Sequence, residues 1–197
     1  MGRWQPDAPG RLARAAFELF AERGYEQTTV ADIASRAGLT ERTFFRHFSD
    51  KREVLFSGQS QLTEALVSSI AGAPESSGPL AAVAVALATV GEYFEEIRDR
   101  ARNRQAIIAA NPELRERELI KLASLATAMA EALRERGVPE PAASLAAEAG
   151  MAVFRIAFER WVSDAGQPDL PTIIRESLDQ MQALTAGSLA PGLATAG

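Results

Sequence analysis

The sequence predicts an all-α protein in which a small three-helix head precedes a larger helical domain. Apolar residues recur at helical spacing in the long segments, and β-branched residues never alternate over a run as they do in strands. Of the 197 residues, 47% are hydrophobic, which is enough for one mid-sized core or two small ones and argues against disorder.

Residues 28–51 predict two short helices joined by a sharp turn. Thr29 can cap the first helix through its hydroxyl, and Asp32 lies three residues later, where a carboxylate favours a helix N-terminus. Gly38 takes the position at which a helix ends in a left-handed residue. Thr40 can then cap the second helix.

The second helix is predicted to have one buried edge and a polar remainder. Phe44 and Phe48, one turn apart, can pack inward. The other faces are basic and hydroxylic, which is the character of a helix that enters the major groove of DNA. These faces carry Arg42, Thr43, Phe45, Arg46 and His47.

A helix over residues 11–23, ended by Gly24, precedes these two and closes the three-helix head. Residues 1–9 lack periodicity and carry two prolines. They predict either a solvated tail or a basic arm whose Arg3 enters a minor groove.

The stretch TTVADIASRAGLTERTFFRHFSDKREVL resembles the helix-turn-helix of TetR-family transcriptional regulators, and RLARAAFELFAERGYEQTT resembles the helix before it. The resemblance covers about the first third of the chain and implies a DNA-binding regulator. Phe45 departs from it, because the family usually has a tyrosine there whose hydroxyl would reach a phosphate. The expected DNA contacts are Thr29, Thr40, Arg42, Thr43, Phe45, Arg46, His47 and Lys51.

These contacts divide into two kinds by their position on the motif. Residues at helix starts or just past the second helix reach phosphates, whereas Arg42 and Thr43 project from its first turn toward base edges. The phosphate group comprises Thr29, Thr40, His47 and Lys51.

A net charge of −5 is unexpected for a DNA-binding protein, so we compare the charges of the first 57 residues with those of the remainder. Residues 1–57 hold nine Lys or Arg against eight Asp or Glu, and the remainder holds 12 against 18. The head is only mildly basic, so its positive charge has to be local, on the edge that faces the groove.

Glycine, proline and polar loops divide the rest of the chain into further helices. We predict a DNA-binding domain over residues 6–66, with its motif at 29–48, and a ligand-binding and dimerisation domain over 67–190. The later helices are predicted over about residues 50–70, 80–98, 100–110, 112–136, 141–164 and 171–185.

The helix over residues 141–164 is apolar on two sides, so it needs two partners. One partner is the core of its own domain, and the other could be the same helix of a second subunit. The resembled family dimerises through two helices from each chain. The predicted homodimer interface comprises Leu145, Ala149, Val153, Ile156, Ile174, Leu178 and Met181.

A bulky aromatic and methionine set could line an apolar ligand pocket, although such a stripe also forms plain core. RNRQAIIAANPELRERELIKL and FRIAFERW resemble the C-terminal domain of TetR regulators of the mycofactocin-regulator type, which implies an acyl-CoA-like ligand. The candidate ligand residues are Phe94, Met129, Met151, Phe154, Phe158 and Trp161.

The sequence offers few residues that could form a catalytic or metal-binding site. There is no cysteine, the one histidine, His47, lies inside the helix-turn-helix, and no glycine-rich phosphate loop occurs. We therefore expect no catalytic residue, metal site or cofactor. Glu92, Glu95 and Glu96 are expected on a solvated helix face. The arginines at 98, 100, 102 and 104 either hold an anionic group or mostly face water.

These features predict a cytoplasmic, homodimeric, sequence-specific DNA-binding regulator with no membrane partner, specifically a repressor released from its operator by a small apolar or acyl-type ligand. A ligand that favours a wider separation of the two heads would lower operator affinity. Two alternatives stay open: an enzyme built on the helical domain with a vestigial head, and a ligand-free architectural DNA binder.

Overall fold

The computed structural model describes residues 7–163, 166 and 168–187, and the regular secondary structure within these ranges is helical. No strand occurs among them, and this confirms the predicted all-α class. The predicted arm residue Arg3 and the end of the predicted second domain, residues 188–190, lie outside these ranges. The helices are α1 (Ala8–Arg23), α2 (Val30–Arg36), α3 (Glu41–His47), α4 (Gln59–Gly72), α5 (Pro79–Glu96), α6 (Arg98–Ala110), α7 (Pro112–Glu135), α8 (Ala142–Ser163) and α9 (Leu170–Thr185), with a 3-10 helix at Arg52–Phe56.

The chain folds into two compact units, and the first of them is discontinuous in sequence. Among the described residues, it combines 7–62 with 99–121, and the second unit takes 63–98 and those from 122 to 187. The sequence prediction placed residues 99–121 in the C-terminal domain. The structure differs because Ile108 and Leu114, both 0% exposed, belong to the same hydrophobic core as α1–α3.

The core of the first unit is built from the apolar stripes of its helices. Thr28, the one buried polar residue named for the described part of the chain, donates its hydroxyl to the Gly24 carbonyl at 2.8 Å. That bond fixes the corner between α1 and α2. The largest buried side chains here are Leu12, Leu19, Phe20, Tyr25, Ile33, Phe44, Phe48, Leu55 and Phe56.

The predicted continuous helix over residues 50–70 is wrong at its start. Asp50 Oδ1 accepts the amides of Arg52 at 2.8 Å and Glu53 at 3.1 Å, which starts a 3-10 helix instead. The Leu55 carbonyl accepts Arg104 Nε at 2.8 Å, whereas in a continuous α-helix it would accept an amide four residues on.

Helices α5, α8 and α9 pack together in the second unit, and two glycines allow their close approach. A Cβ on Gly150 of α8 would lie 2.3 Å from Val83 Cγ1 of α5, and a Cβ on Gly91 would lie 3.2 Å from Pro171 of α9. No helix within the described ranges combines the length and apolarity needed to cross a membrane.

Candidate nucleic-acid interface

The first helix of the motif, α2, is held by a reciprocal cap. Thr29 Oγ1 accepts the Asp32 amide at 3.2 Å, and Asp32 Oδ2 accepts the Thr29 amide at 2.9 Å. The hydrogen bonds from Thr29, with Arg23 at 2.8 Å from the same carboxylate, lower the pKa of Asp32 to about 2. The Thr29 hydroxyl thus takes part in the cap, and its phosphate contact stays a prediction.

The turn between α2 and α3 is tied to α1 by an arginine. Arg11 Nη2 donates to the Ala37 carbonyl at the end of α2, where a cation also complements the helix dipole. Gly38 has φ 64°, a left-handed conformation that disfavours side chains. Leu39 then donates its amide to the Ala34 carbonyl at 2.8 Å. No local sequence pattern indicates this contact of Arg11, because it joins residues 26 positions apart.

The second helix, α3, presents one edge to the core, as predicted. Thr40 Oγ1 accepts the Thr43 amide at 3.2 Å, and the two hydroxyls lie 3.0 Å apart. Phe44 is 0% exposed and Phe48 is 7% exposed. Their rings lie 5.4 Å apart between centroids, which anchors α3 on the rest of the first unit.

The opposite side of α3 is exposed and positively charged. Arg42, Arg46 and His47 are exposed, and Phe45 keeps 54% of its surface open. Arg46 Nη2 lies 3.3 Å from His47 Nε2. An α-helix with its side chains is about 10–12 Å across, which suits a major groove about 12 Å wide. Thr43 lies at the edge of this surface, half-buried.

Ion pairing concentrates the positive charge on α3. Arg36 binds Glu22 at 2.7 Å, and Arg23 binds Asp32, so these cations of the other head helices are neutralised. Within the described residues, neither Arg42 nor Arg46 forms a salt bridge. A head that is only mildly basic overall therefore still offers a local cationic face for phosphate and base contacts.

Lys51, just past α3, is less free than the sequence suggested. Its Nζ donates to the Tyr25 carbonyl at 2.7 Å and lies 4.0 Å from the centroid of the Tyr25 ring. Burial lowers the pKa of Lys51, whereas the carboxylates of Glu26 and Glu113 act in the opposite direction. These two contacts hold the ammonium in one place just past the end of α3.

The second unit brings most of the candidate ligand residues together. The rings of Phe94, Phe154 and Phe158 lie 5.2 to 5.9 Å apart between centroids, and Trp161 joins them at 5.5 Å from Phe158. We call these four side chains the aromatic cluster. Of the two candidate methionines, Met129 is 0% and Met151 is 6% exposed.

Glu95 lies at the end of this cluster and contradicts its predicted solvated position. Its Oε1 accepts the Trp161 indole N–H at 2.6 Å and the Leu170 amide at 2.6 Å, which joins α5, α8 and α9. Glu92 and Glu96 are exposed, as expected. The signal that could have found Glu95 is the tryptophan, because a buried indole N–H needs an acceptor.

The arginines at 98, 100 and 104 each make a separate contact inside their own compact unit. Arg98 stacks on the Trp161 ring at 5.0 Å, and Arg100 stacks on Phe17 at 5.0 Å. Arg104 binds the Leu55 carbonyl and also pairs with Glu118 at 2.9 Å. These three side chains thus have partners within the protein, and their binding of an anionic group stays a prediction.

The predicted dimer residues fall into three groups by their exposure. Leu145 and Ile156 are 67% and 54% exposed on α8. Ala149 and Met181 are half-buried. The remaining three are buried within their own unit: Val153 at 4%, Ile174 at 1% and Leu178 at 7% exposed. These three have too little exposed surface to carry an intersubunit contact.

Comparison with known proteins covers both parts of the chain. Residues 12–57 match the family model described as "Bacterial regulatory proteins, tetR family", and residues 77–186 match the model described as "MftR C-terminal domain". The second match alone spans more than half of the 197 residues.

Individual proteins resemble the chain over different lengths. TcmR of Streptomyces glaucescens, an HTH-type transcriptional regulator, is 41% identical over 80 residues, which are 41% of this chain and 35% of TcmR. The transcriptional regulator MftR of Mycobacterium tuberculosis is 33% identical over 117 residues, or 58% of each chain. The chain therefore spans less than two thirds of these relatives' lengths.

A solved structure shares the fold. The crystal structure of the transcriptional regulator FadR from Bacillus subtilis in complex with stearoyl-CoA has a TM-score of 0.63 and 21% sequence identity. The match covers 87% of this chain and 96% of the FadR chain. An N-terminal helix-turn-helix followed by a helical domain is thus a known architecture.

Proposed function

This chain belongs to the TetR family of bacterial transcriptional regulators, and on that premise we propose that it is a homodimeric repressor released from its operator by an apolar or acyl-type ligand. The family and the fold are those of DNA-binding regulators, not of enzymes. The observation that carries the DNA-binding part of the proposal is the outward side of α3, where Arg42 and Arg46 are exposed opposite the buried Phe44.

Two classes of DNA contact follow from the geometry of the motif. Arg42, in the first turn of α3, can bind guanine bidentately, and Thr43 beside it can meet a thymine methyl. Phe45 has no hydroxyl and offers apolar contact alone. The residues assigned to phosphates are Thr29, Thr40, His47 and Lys51, and Arg46 adds charge to the same face.

The Arg42→Ala substitution is expected to cost about 1–3 kcal/mol of operator binding free energy and to relax preference at one base position in each half-site. Lys51→Ala is expected to weaken all sequences alike and to lower the salt slope by about 1 per monomer. Fluorescence anisotropy across a salt series measures both, on a duplex selected by the wild-type protein from a random pool and on a scrambled duplex.

The two variants serve as controls for each other, because each removes one positive charge from residues 28–51, which contain the helix-turn-helix. Parallel losses on the selected and scrambled duplexes for both variants would contradict this division of roles. Equal wild-type affinity for both duplexes would contradict sequence-specific binding itself.

The proposed dimer uses the exposed apolar side of α8. Leu145, Ala149 and Ile156 recur at helical spacing there, and Met181 lies half-buried on α9. A two-fold axis through such a face pairs the same patch of both chains. The two recognition helices would then enter successive major grooves, about 34–36 Å apart.

The proposed ligand site is the aromatic cluster of the second unit. An apolar chain suits these rings, since ligand sites are mostly apolar, and the domain is of the MftR type. FadR, which shares the fold, was crystallised with stearoyl-CoA. Because the four rings contact one another, an acyl chain has to part them, and that movement gives the ligand a conformational effect.

Phe158→Ala is expected to raise by about tenfold the stearoyl-CoA concentration at which half of the operator is released. Operator affinity without ligand is expected to stay nearly unchanged. The shift corresponds to the burial of one aromatic side chain, roughly 1.5–3 kcal/mol partly offset by the cavity left behind. Anisotropy of the protein–operator complex during a stearoyl-CoA titration measures it, with coenzyme A alone as a second titrant.

Tyr93→Ala is the matched control, because Tyr93 is an aromatic residue of α5 with 53% of its surface exposed. Equal shifts for both variants would argue against a site at the aromatic cluster. If stearoyl-CoA leaves the wild-type complex intact, the acyl ligand is wrong and the ligand-free architectural binder gains support.

A further inference from the structure

One hydrogen bond joins the start of α7 to the loop between α1 and α2. The Tyr25 hydroxyl donates to Glu113 Oε1 at 3.3 Å, across 88 residues of sequence but inside the first compact unit. Tyr25 is 5% exposed and its ring packs 5.2 Å from the Phe20 ring. Ring packing needs no hydroxyl, so the bond to Glu113 fixes the ring's orientation beyond what burial alone requires.

The same tyrosine holds Lys51. The Lys51 ammonium donates to the Tyr25 carbonyl and lies over the Tyr25 ring, and this carbonyl is the one acceptor that the described residues give it. An ammonium has three N–H groups, so two are left for oxygens outside the protein. Lys51 is half-buried, and its free donors lie just past the end of α3.

We propose that Tyr25 and Glu113 are positioning residues that hold the Lys51 ammonium for a DNA phosphate. The inference rests on the proposed phosphate contact of Lys51. A lysine side chain free in solution loses rotamer freedom when it binds, and a side chain already held in place loses less. A residue of α7 thereby affects DNA affinity without touching DNA.

The charges around Glu113 fit this role. Its Oε2 lies 3.9 Å from Arg52 Nη1, and Arg52 also binds Asp50 at 2.8 Å. Burial, and next the Glu113 carboxylate, raise the pKa of Tyr25, so the hydroxyl stays protonated and able to donate at neutral pH. Glu113 lies in the first turn of α7, where the helix dipole favours a carboxylate.

A double-mutant cycle between Tyr25→Phe and Lys51→Met tests the proposal. Tyr25→Phe removes only the hydroxyl, and Lys51→Met removes the charge while keeping an aliphatic stem over the ring. Tyr25→Phe is expected to weaken binding to a fluorescein-labelled duplex of arbitrary sequence about two- to tenfold, the effect of one ordinary hydrogen bond. In the Lys51→Met background the same change is expected to have no further effect.

The outcomes separate this inference from the proposed DNA contacts. If Lys51→Met weakens binding but Tyr25→Phe gives the same fold-change in both backgrounds, the positioning role is wrong and the phosphate contact stands. If Lys51→Met leaves the affinity and the salt slope unchanged, the phosphate contact is wrong and the inference falls with it. Circular dichroism of each variant checks that the fold is retained.

A second pair of variants isolates the hydrogen bond from the charge. Glu113→Gln keeps an acceptor for the Tyr25 hydroxyl and Glu113→Ala does not, so the alanine variant is expected to bind the duplex about two- to tenfold more weakly. Glu116, an exposed residue of the same helix, supplies charge-matched controls, Glu116→Gln and Glu116→Ala. Equal Ala-to-Gln differences at the two positions would overturn the role of Glu113.

Discussion

Replacing Phe44 by alanine is expected to lower the free energy of unfolding by about 3–5 kcal/mol, whereas the same change at Phe45 should cost about 1 kcal/mol or less. The neighbours differ in burial: Phe44 is 0% exposed in the core of the first unit and Phe45 is 54% exposed. Removing the Phe44 ring leaves a cavity against Phe48, while removing the Phe45 ring loses one edge contact with Phe44.

Urea denaturation followed by circular dichroism measures the difference, and anisotropy on a DNA duplex adds a second readout. Phe44→Ala should lose stability and DNA binding together, since α3 is anchored by that ring. Phe45→Ala should keep the fold and lose only its apolar contact with DNA. Equal destabilisation by the two changes would mean that α3 does not sit on the core in this orientation.

The head was predictable from sequence because its signals act over a few residues. The cap of Thr29 with Asp32, the left-handed Gly38 and the cap at Thr40 were all predicted and are confirmed. Each of them satisfies backbone groups within one turn, so no distant partner has to be known. What these residues do to DNA stays a prediction, since a cap and a phosphate contact can use the same hydroxyl.

The later segments of the chain that pack on the head could not be predicted from such local signals. Apolar spacing around Ile108 and Leu114 shows that a face is buried, but not which core receives it. Arg104 illustrates the same limit, because its binding of the Leu55 carbonyl joins positions 49 residues apart. Such contacts depend on the tertiary path of the chain. Because of them, residues 99–121 belong to the same compact unit as the head.

The two-faced helix α8 shows a choice between two sides that the sequence pattern alone leaves open. Both faces carry apolar residues, so the sequence could not distinguish the face that packs on α5 and α9 from the face left exposed. Val153 was assigned to the dimer interface, yet it is 4% exposed within its own unit. Gly150 marks the packed side, because only a glycine allows Val83 to approach so closely.

A charge at Ile156 is therefore expected to break the proposed dimer while the protomer stays folded. Ile156→Glu places a carboxylate on the exposed face of α8, twice per dimer because of the two-fold axis. Losing a central apolar contact and burying an unpaired charge is expected to raise the dimer Kd about 100-fold or more. Sedimentation velocity at micromolar concentration measures the change.

Val153→Glu is the contrasting variant, three residues away on the same helix. Its side chain is buried in the second unit, so an unpaired carboxylate there is expected to lower the free energy of unfolding by several kcal/mol instead. Circular dichroism melts run beside the sedimentation experiments separate the two effects. A wild-type protein that sediments as a monomer would contradict the dimer. An Ile156→Glu variant that stays dimeric while Val153→Glu dissociates into folded monomers would place the interface on the Val153 side of α8 instead.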